Sequence, residues 1–294
     1  MASGYRVVDL QLKRREMLSP SLLRCVFTGK DIREIKHEAP DQRIKLLLAE
    51  HPECQKLPVT EDWYSTFLAI PKAQRPTMRT YTLRHLDTTQ QELWVDVVLH
   101  GDSGPASRWA QRAQVDSPLQ VVVPNAQAAT TSGGFEWFEN PTLQEVLLIA
   151  DETALPAAMG ILENLAQRPN PPRVQAFLHV PLAADIQPLY YDFAKIHWSS
   201  TELEGDAQQA LLHAVQSRLT LPDYACSADQ SLEEHSLSDD ILWERAAPCE
   251  RFRTWVAAES SVVRTLRRYL IQERMLTRET ATFMAYWSQG KVTG

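Results

Sequence analysis

Glycine, cysteine and long apolar runs are all scarce in this chain of 294 residues. Only 10 glycines are present, which excludes a collagen-like or glycine-linker protein. The 4 cysteines form no CxxC pair and have no histidine at zinc-finger spacing. We therefore expect reduced thiols, no metal site and no iron–sulfur centre belonging to the chain itself.

Membrane-spanning segments and an excess of positive charge are missing as well. The longest apolar stretches are far too short to cross a bilayer, and the first residues lack the apolar core of a signal peptide. Lys and Arg number 30 against 37 Asp and Glu, so the formal net charge is −7. A net anion is poorly suited to nucleic acid, because that affinity depends on neutralising phosphates. We expect a cytoplasmic monomer that neither enters membranes nor binds nucleic acid.

The pattern of apolar residues divides the chain into two halves. The first half is rich in strand patterns, at 6–11, 22–28, 43–49, 77–86, 92–100 and 119–123, with one helix at 105–113. The proline-rich segment 51–76 reads as a long excursion between strands. The second half alternates strands, at 146–150, 173–180, 195–198, 251–257 and 282–287, with helices at 154–167, 206–219 and 261–273.

Such alternation implies a parallel sheet with helices on both faces. The sequence therefore predicts a β-barrel domain over 1–135 and a Rossmann-like α/β domain over 141–294. Between residues 223 and 244 lie seven acidic residues and no basic one. This segment is interpreted as a solvated insertion, or else as an acidic docking loop.

The first segment with chemical potential is Arg79-Thr80-Tyr81-Thr82. Alternate side chains of a strand share a face, so Arg79 and Tyr81 point one way and the two threonines the other. A ring beside a guanidinium is able to stack on a planar cofactor and pair with its phosphate. The alternative is a tyrosine packed against a surface arginine.

The second segment runs from the strand at 92–100 into the helix at 105–113. Asp96, Val98 and His100 share one face of the strand, and Gly104-Pro105 starts the helix. The free N–H groups of Ala106, Ser107 and Arg108 then form an anion site suited to a pyrophosphate. An ordinary strand–turn–helix with a capped end explains the same pattern.

Three further segments lie in the second half. A helix begins directly after the strand at 146–150, with Thr153 as its expected N-cap, although no GxGxxG is present. Glu259 follows a strand and precedes a helix that carries a basic stripe or an ordinary solvated face, formed by Arg264, Arg267 and Arg268. Trp287 either closes a core or covers a cofactor.

The order of these motifs resembles the siderophore-interacting protein family of FAD-dependent ferric-siderophore reductases, which includes the vibriobactin-utilisation type. The resemblance runs over about residues 6–291. It implies a ferredoxin-reductase-like architecture, in which an antiparallel FAD-binding β-barrel precedes a Rossmann-like, parallel-sheet NAD(P)-binding domain. Two departures stand out. The family usually has glycine where this chain has Ala150 and Ala258, and we expect their loss to weaken nicotinamide binding more than flavin binding.

The resemblance also assigns roles to residues. Tyr81 would stack on the isoalloxazine, Thr82 would bond near its redox edge and Arg79 would neutralise the pyrophosphate. The remaining flavin residues are implied at the ribityl or ribose region and the phosphate, and comprise Thr80, Asp96, Val98, His100, Ala106 and Ser107. The nicotinamide pocket is implied to be lined by Thr153, Ala154 and Glu259, and Trp287 is assigned to cofactor binding.

The activity that the resemblance implies needs no catalytic side chain, because the flavin carries the chemistry. NADPH or NADH reduces FAD, which passes single electrons to siderophore-bound Fe(III). Fe(II) then leaves, since the hard siderophore oxygens bind it less tightly. Lys45, Arg264, Arg267 and Arg268 are candidates for a basic rim that binds the anionic siderophore. The alternatives are a general flavin or electron-transfer reductase and a non-catalytic siderophore-binding iron-handover protein.

Overall fold

The structure is a computed structural model that describes residues 4–59, 62–101, 104–227, 242–248 and 251–290. The described residues up to Phe135 form one compact unit, and those from Glu136 onward form a second. No helix in these ranges is long and apolar enough to span a bilayer.

The first unit is built on a seven-stranded antiparallel sheet, in the order β4-β3-β7-β1-β2-β6-β5. Its strands are β1 (Tyr5–Ser19), β2 (Leu22–Thr28), β3 (Arg43–Leu48), β4 (Thr77–Thr82), β5 (His85–Asp87), β6 (Glu92–Val98) and β7 (Pro118–Pro124), and its helices are α1 (Trp63–Ala69) and α2 (Pro105–Arg112). One face of β6, formed by Leu93, Val95 and Val97, is buried in the core of this unit.

Three predictions for the first unit need correction. The strand predicted at 6–11 extends to Ser19, with irregular pairing beyond Leu12. The strand predicted over 77–86 is divided into β4 and β5. The segment 51–76 contains helix α1, which buries Phe67 against an apolar cluster that includes Leu47 and Val122.

The second unit is a six-stranded sheet in the order β10-β9-β8-β12-β13-β11. Its strands are β8 (Glu145–Ala150), β9 (Arg173–Val180), β10 (Ala194–Ser200), β11 (Trp243–Glu244), β12 (Phe252–Glu259) and β13 (Ala281–Trp287). Its helices are α3 (Leu155–Ala166), α4 (Thr201–Glu204), α5 (Ala207–Arg218) and α6 (Ser260–Arg268), which continues as a π-helical turn over Tyr269–Glu273.

Five of these strands are parallel, as predicted, and β11 is antiparallel to β13. The predicted fold class, an antiparallel sheet followed by an α/β unit, is confirmed. Glu244, which the sequence assigned to the acidic insertion, lies in β11. Residues 228–241 of that segment lie outside the described ranges.

The sheet topology explains where a site forms in the second unit. Parallel strands present their carboxyl ends at one edge, which is where α/β sheets bind ligands. The loops after β8, β9, β10 and β12 therefore share that edge.

Candidate cofactor and substrate sites

Strand β4 presents Arg79 and Thr80 at the edge of the first sheet. The Nη1 of Arg79 donates to the carbonyl of Met78 at 2.8 Å, and its guanidinium makes no ion pair with the described residues. Thr80 lies opposite Lys45 of β3, whose Nζ donates to the Thr80 hydroxyl at 2.7 Å. Among the described residues, no carboxylate therefore competes with an anion for Arg79.

Tyr81 and Thr82 are shielded from solvent to different degrees, since Tyr81 is half-buried and Thr82 is buried. Tyr81 packs against the core of the first unit. Burial raises the pKa of Tyr81 above its usual range, with a smaller contribution from Cys25, so the phenol is neutral. A neutral ring held by the core is a rigid surface for a planar ligand.

Asp96 is buried on β6 and is already paired. Its two carboxylate oxygens accept from the Nε and Nη2 of Arg24 at 2.7 and 2.8 Å, and Arg84 lies 3.6 Å away. Arg24 is the cross-strand neighbour of Asp96 on β2 and also lies over the ring of Trp94. Sequence reasoning missed both arginines, although Arg84 follows Thr82 by only two positions.

The turn into α2 is closed by Ser107. Its hydroxyl donates to the carbonyl of Gly101 at 2.8 Å and accepts from the backbone N–H of His100 at 3.1 Å. The expectation that Arg108 offers a free N–H was wrong, because that group donates to the carbonyl of Gly104 at 2.9 Å. Ala106 and Ser107 stand in the first helical turn, where N–H groups have no intrahelical acceptor.

Val98 is buried at the end of β6, and His100 is exposed beyond it. Glu50, which the sequence did not single out, joins β4 to α2. Its carboxylate accepts from the Thr77 hydroxyl and from the Nη2 of Arg108, the latter at 3.3 Å. The start of β4 and the start of α2 are thereby held together.

In the second unit, the predicted nucleotide residues converge on Asp151. Its Oδ1 accepts from the backbone N–H and the hydroxyl of Thr153, at 2.9 and 2.6 Å, and from the N–H of Ala154 at 3.3 Å. Its Oδ2 accepts from the N–H of Glu259 and the indole of Trp287, both at 2.8 Å. One carboxylate therefore joins the loop after β8 to the ends of β12 and β13.

The prediction that Thr153 caps α3 was wrong. Ala154 occupies the N-cap position and no side chain caps the helix. The Thr153 hydroxyl donates to Asp151 instead. The Asp151 carboxylate also accepts from the N–H groups of Thr153 and Ala154, just before the helix.

The acids at this edge have shifted pKa values. Burial raises the pKa of Asp151, and the hydrogen bonds donated to it oppose that shift. Burial, followed by the charge of Asp151, raises the pKa of Glu152 to about 8. Glu152 therefore holds a proton in most molecules at neutral pH, which reduces the negative charge at the edge.

Glu259 serves as the N-cap of α6. Its carboxylate accepts from the N–H and hydroxyl of Ser261, from the N–H of Val262 and from the N–H of Gln289. Burial alone would raise the pKa of Glu259, but these hydrogen bonds bring it below its usual value.

The four residues predicted to form a basic rim differ in their surroundings. Lys45 belongs to the first unit, and burial together with Arg43 lowers its pKa. On α6, Arg264 is half-buried and Arg268 is exposed. The Nε of Arg267 donates to Glu244 at 2.9 Å, and Arg278 donates to the other oxygen of the same carboxylate at 3.1 Å, so the two arginines share one negative charge.

The two alanines that stand where glycines were expected are fully buried. Ala150 is the last residue of β8, and the methyl group of Ala258 packs in the core of the second unit, together with Val262 and Phe283. The Ala258 methyl is therefore directed into the interior of this unit.

Comparison with known proteins agrees with these motifs. A family model described as the siderophore-interacting FAD-binding domain matches residues 11–128, and one described as siderophore-interacting protein matches residues 143–290, half of the chain. The chain spans about half the length of the curated mycobacterial relatives that it matches, uncharacterized proteins 34% identical to it over 152 residues.

Other relatives align over more of their length. The ferric vibriobactin reductase ViuB of Vibrio cholerae is 25% identical, with 96% of this chain and 89% of that protein covered. The NADPH-dependent ferric-chelate reductase of Escherichia coli is 28% identical, with 76% and 81% covered. The crystal structure of a siderophore utilization protein from T. fusca matches with a TM-score of 0.72 and 25% identity, covering 99% and 96%. With these matches over both sheets, the chain belongs to the siderophore-interacting protein family.

Proposed function

We propose that the chain is a ferric-siderophore reductase that binds FAD through the first unit and accepts electrons from NADH or NADPH through the second. The observation that carries this proposal is the Arg79–Tyr81 pair on β4, in which a neutral, core-packed ring stands two positions from a guanidinium that makes no ion pair with the described residues. Family membership and the similarity to ViuB support the same activity.

The residues of the first unit fit a flavin nucleotide. Arg79 supplies a positive charge and the first turn of α2 supplies the N–H groups of Ala106 and Ser107, which together suit a pyrophosphate. We assign four further residues to the remainder of the FAD site. They are Thr80 and Thr82 on β4, Val98 at the end of β6 and His100 in the turn after it. Asp96 contributes to this site by positioning Arg24, since both of its carboxylate oxygens accept hydrogen bonds from that arginine.

Bound FAD supplies the conversion of a two-electron nicotinamide donor into single electrons for ferric iron. The role of the second unit is to hold the carboxyl ends of its parallel strands, here called the nucleotide edge, in a fixed arrangement for binding the nicotinamide nucleotide. Asp151 holds Thr153, Ala154, Glu259 and Trp287 in place, and the proton on Glu152 lowers the repulsion of an anionic nucleotide.

Ferric siderophores supply the substrate in this proposal. Candidate cations for binding them are Lys45 in the first unit and, in the second unit, Arg264 and Arg268. Arg267 contributes least, because it is already paired with Glu244. Ferrous iron leaves because hydroxamate and catecholate oxygens prefer the ferric ion. We place this reaction in the cytoplasm and assign it to a monomer.

One anaerobic assay tests the proposal. The FAD-loaded protein is mixed with NADH or NADPH, with a ferric hydroxamate or a ferric catecholate, and with a ferrous trap. We expect trapped Fe(II) with at least one pair. Absence of trapped Fe(II) with every pair would overturn the proposal, and reduction of free flavins alone would favour a general flavin reductase.

A further inference from the structure

One side of the nucleotide edge is formed by the carboxyl ends of β9 and β10, the two strands that lie beyond β8 in the sheet. These two strands occupy the outer positions of the sheet, in the order β10-β9-β8. In nucleotide-binding sheets of this kind, the residues after the second strand meet the adenosine ribose. A carboxylate there binds a free 2′-hydroxyl, whereas an arginine accommodates a 2′-phosphate. The charge of this edge therefore bears on the choice of nucleotide.

Positive charge is absent from the sequence that builds this edge. Between Arg173 and Arg245 the only lysine and arginine residues are Lys195 and Arg218. Lys195 is the second residue of β10, at its amino end, and Arg218 is the last residue of α5, which returns from the carboxyl edge. Neither stands at the carboxyl end of β9 or β10. His179 does stand at the carboxyl end of β9, but burial lowers its pKa to about 4, so its ring is neutral.

Acidic residues occupy the edge instead. The Oε2 of Glu202 accepts from the N–H of Ala183 at 2.8 Å, and the N–H of Glu202 donates to the carbonyl of Pro181 at 3.0 Å. Glu202 thus fixes the loop after β9 to the start of α4. Three more acids belong to the same two segments. Asp185 follows β9, and its carboxylate accepts from the N–H of Leu182 at 3.1 Å, while Glu204 and Asp206 follow Glu202 in the chain.

Exposed apolar side chains accompany these acids. Leu182 and Ile186 follow β9 and are each 37% exposed, and Leu203 on α4 is 70% exposed. The hydroxyl of Ser200, at the end of β10, is buried and has no hydrogen-bond partner in the described part of the chain. An apolar surface beside carboxylates suits an adenine base and a ribose whose hydroxyls donate hydrogen bonds.

From this charge distribution we infer that the nucleotide donor of this chain lacks a 2′-phosphate, so that NADH is its substrate and NADPH is rejected. The inference rests on the proposed function, because it concerns the donor of that reaction. Glu202 and Glu204 are the specificity-determining residues. A 2′-phosphate placed here meets like charges and no cation, which gives discrimination against it of about tenfold or more.

Two measurements on the full, FAD-loaded chain test the inference. The first compares the rate of flavin bleaching under anaerobic conditions with NADH and with NADPH. The second compares the binding of ADP-ribose and of 2′-phospho-ADP-ribose by calorimetry, which requires no turnover. We expect NADH to give the higher kcat/KM by about tenfold or more, and ADP-ribose to bind tighter by a similar factor.

A matched set of variants assigns the effect to the edge. Glu204→Arg and Glu202→Gln remove negative charge. We expect each to reduce the ratio of kcat/KM for NADH to kcat/KM for NADPH about three- to tenfold, mainly by raising kcat/KM for NADPH. Asp192→Arg is the control for Glu204→Arg, because it makes an equal charge change just before the amino end of β10, about 20 Å along the strand. This variant should leave the preference unchanged.

The outcomes separate the inference from the proposed function. Equal or better reduction by NADPH, or equal binding of the two ADP-ribose probes, overturns the inference and leaves the reductase intact. NADH-driven bleaching without any ferric-siderophore reduction supports the inference and overturns the proposed substrate. Failure of both nucleotides to bleach the flavin, with neither probe bound, overturns both.

Discussion

In the first unit the charged group placed for a cofactor is a cation, Arg79, which makes no ion pair with the described residues. In the second unit the corresponding centre is a carboxylate, Asp151, whose oxygens accept five hydrogen bonds from three segments of the chain. Arg79 is therefore available to a ligand, whereas Asp151 is committed to the structure. Removing the first should cost binding alone, and removing the second should cost folding and binding together.

The largest effect is expected from Asp151→Ala. This change leaves buried N–H and hydroxyl donors without an acceptor, and an unsatisfied buried group costs about 1–3 kcal/mol. We expect the second unit to lose at least about 3 kcal/mol of unfolding free energy and flavin reduction by NADH to fall about 100-fold, while FAD stays bound. Urea denaturation, flavin content and stopped-flow kinetics measure these quantities.

Asp192→Ala serves as the control, since Asp192 is an exposed acid of the same unit. Near-native stability of Asp151→Ala would contradict the structural role given to Asp151.

The next largest effect is expected from Arg79→Ala. Loss of a charge-assisted contact to a pyrophosphate should weaken FAD binding about 30-fold or more, with little change in unfolding free energy of the apoprotein. Fluorescence titration with FAD measures the affinity. Arg33→Ala removes an exposed arginine of the same unit and should leave the affinity unchanged. Full retention of FAD by Arg79→Ala would refute the phosphate assignment.

An intermediate effect concerns pH and Glu152. Its pKa of about 8 in the folded chain lies above the ordinary value of 4.5, so the folded state binds the proton more tightly than the unfolded state. The resulting stability is complete below the ordinary pKa and is lost as pH rises towards 8. Glu152→Gln removes this titration.

We therefore expect the Tm of the natural protein, relative to that of Glu152→Gln, to fall between about pH 5 and pH 8. Calorimetric scans across that range make the comparison. Parallel curves for the two proteins would show that the Glu152 pKa is not raised.

The smallest expected effect is a difference in KM for the ferric siderophore between alanine variants of two neighbouring arginines on α6. Arg268 is exposed, whereas Arg267 is paired with Glu244. Arg268→Ala should raise the KM for an anionic ferric siderophore about two- to threefold, as expected for an exposed charge, and Arg267→Ala should change it less. Steady-state assays at low salt measure both, and the reverse ranking would argue against the proposed siderophore contacts.

Sequence reasoning located the elements whose pattern is local. Strand β9 lies where its apolar run predicts it, and α5 begins after Asp206, whose carboxylate accepts from the N–H of Gln209. Helix α1 was missed although Trp63, Phe67 and Ile70 follow a helical spacing and pack in one apolar cluster. Its seven residues make only about two turns inside a proline-rich segment, which is too short a pattern to stand out. Strand β11 was missed because its two residues end a segment that reads as solvated.

The site was less predictable than the fold, because its contacts join distant parts of the chain. The sequence placed Asp151 in a motif, but the hydrogen bond from Trp287 depends on tertiary structure. Likewise, Arg24 and Asp96 are 72 positions apart and meet only as partners on β2 and β6. The sequence therefore predicts which residue types are present at the site, but it does not predict which tertiary partners pair with their charges.

The sequence distance spanned by the Asp151 hydrogen bonds has a consequence for biosynthesis. Trp287 is 136 positions after Asp151, close to the end of the chain. The contacts of Arg79, Thr80 and Glu50 all lie within the first 135 residues. During synthesis, the flavin-side elements can therefore assemble before Trp287 has been made, so the second unit gains its last Asp151 donor later than the first unit gains its contacts.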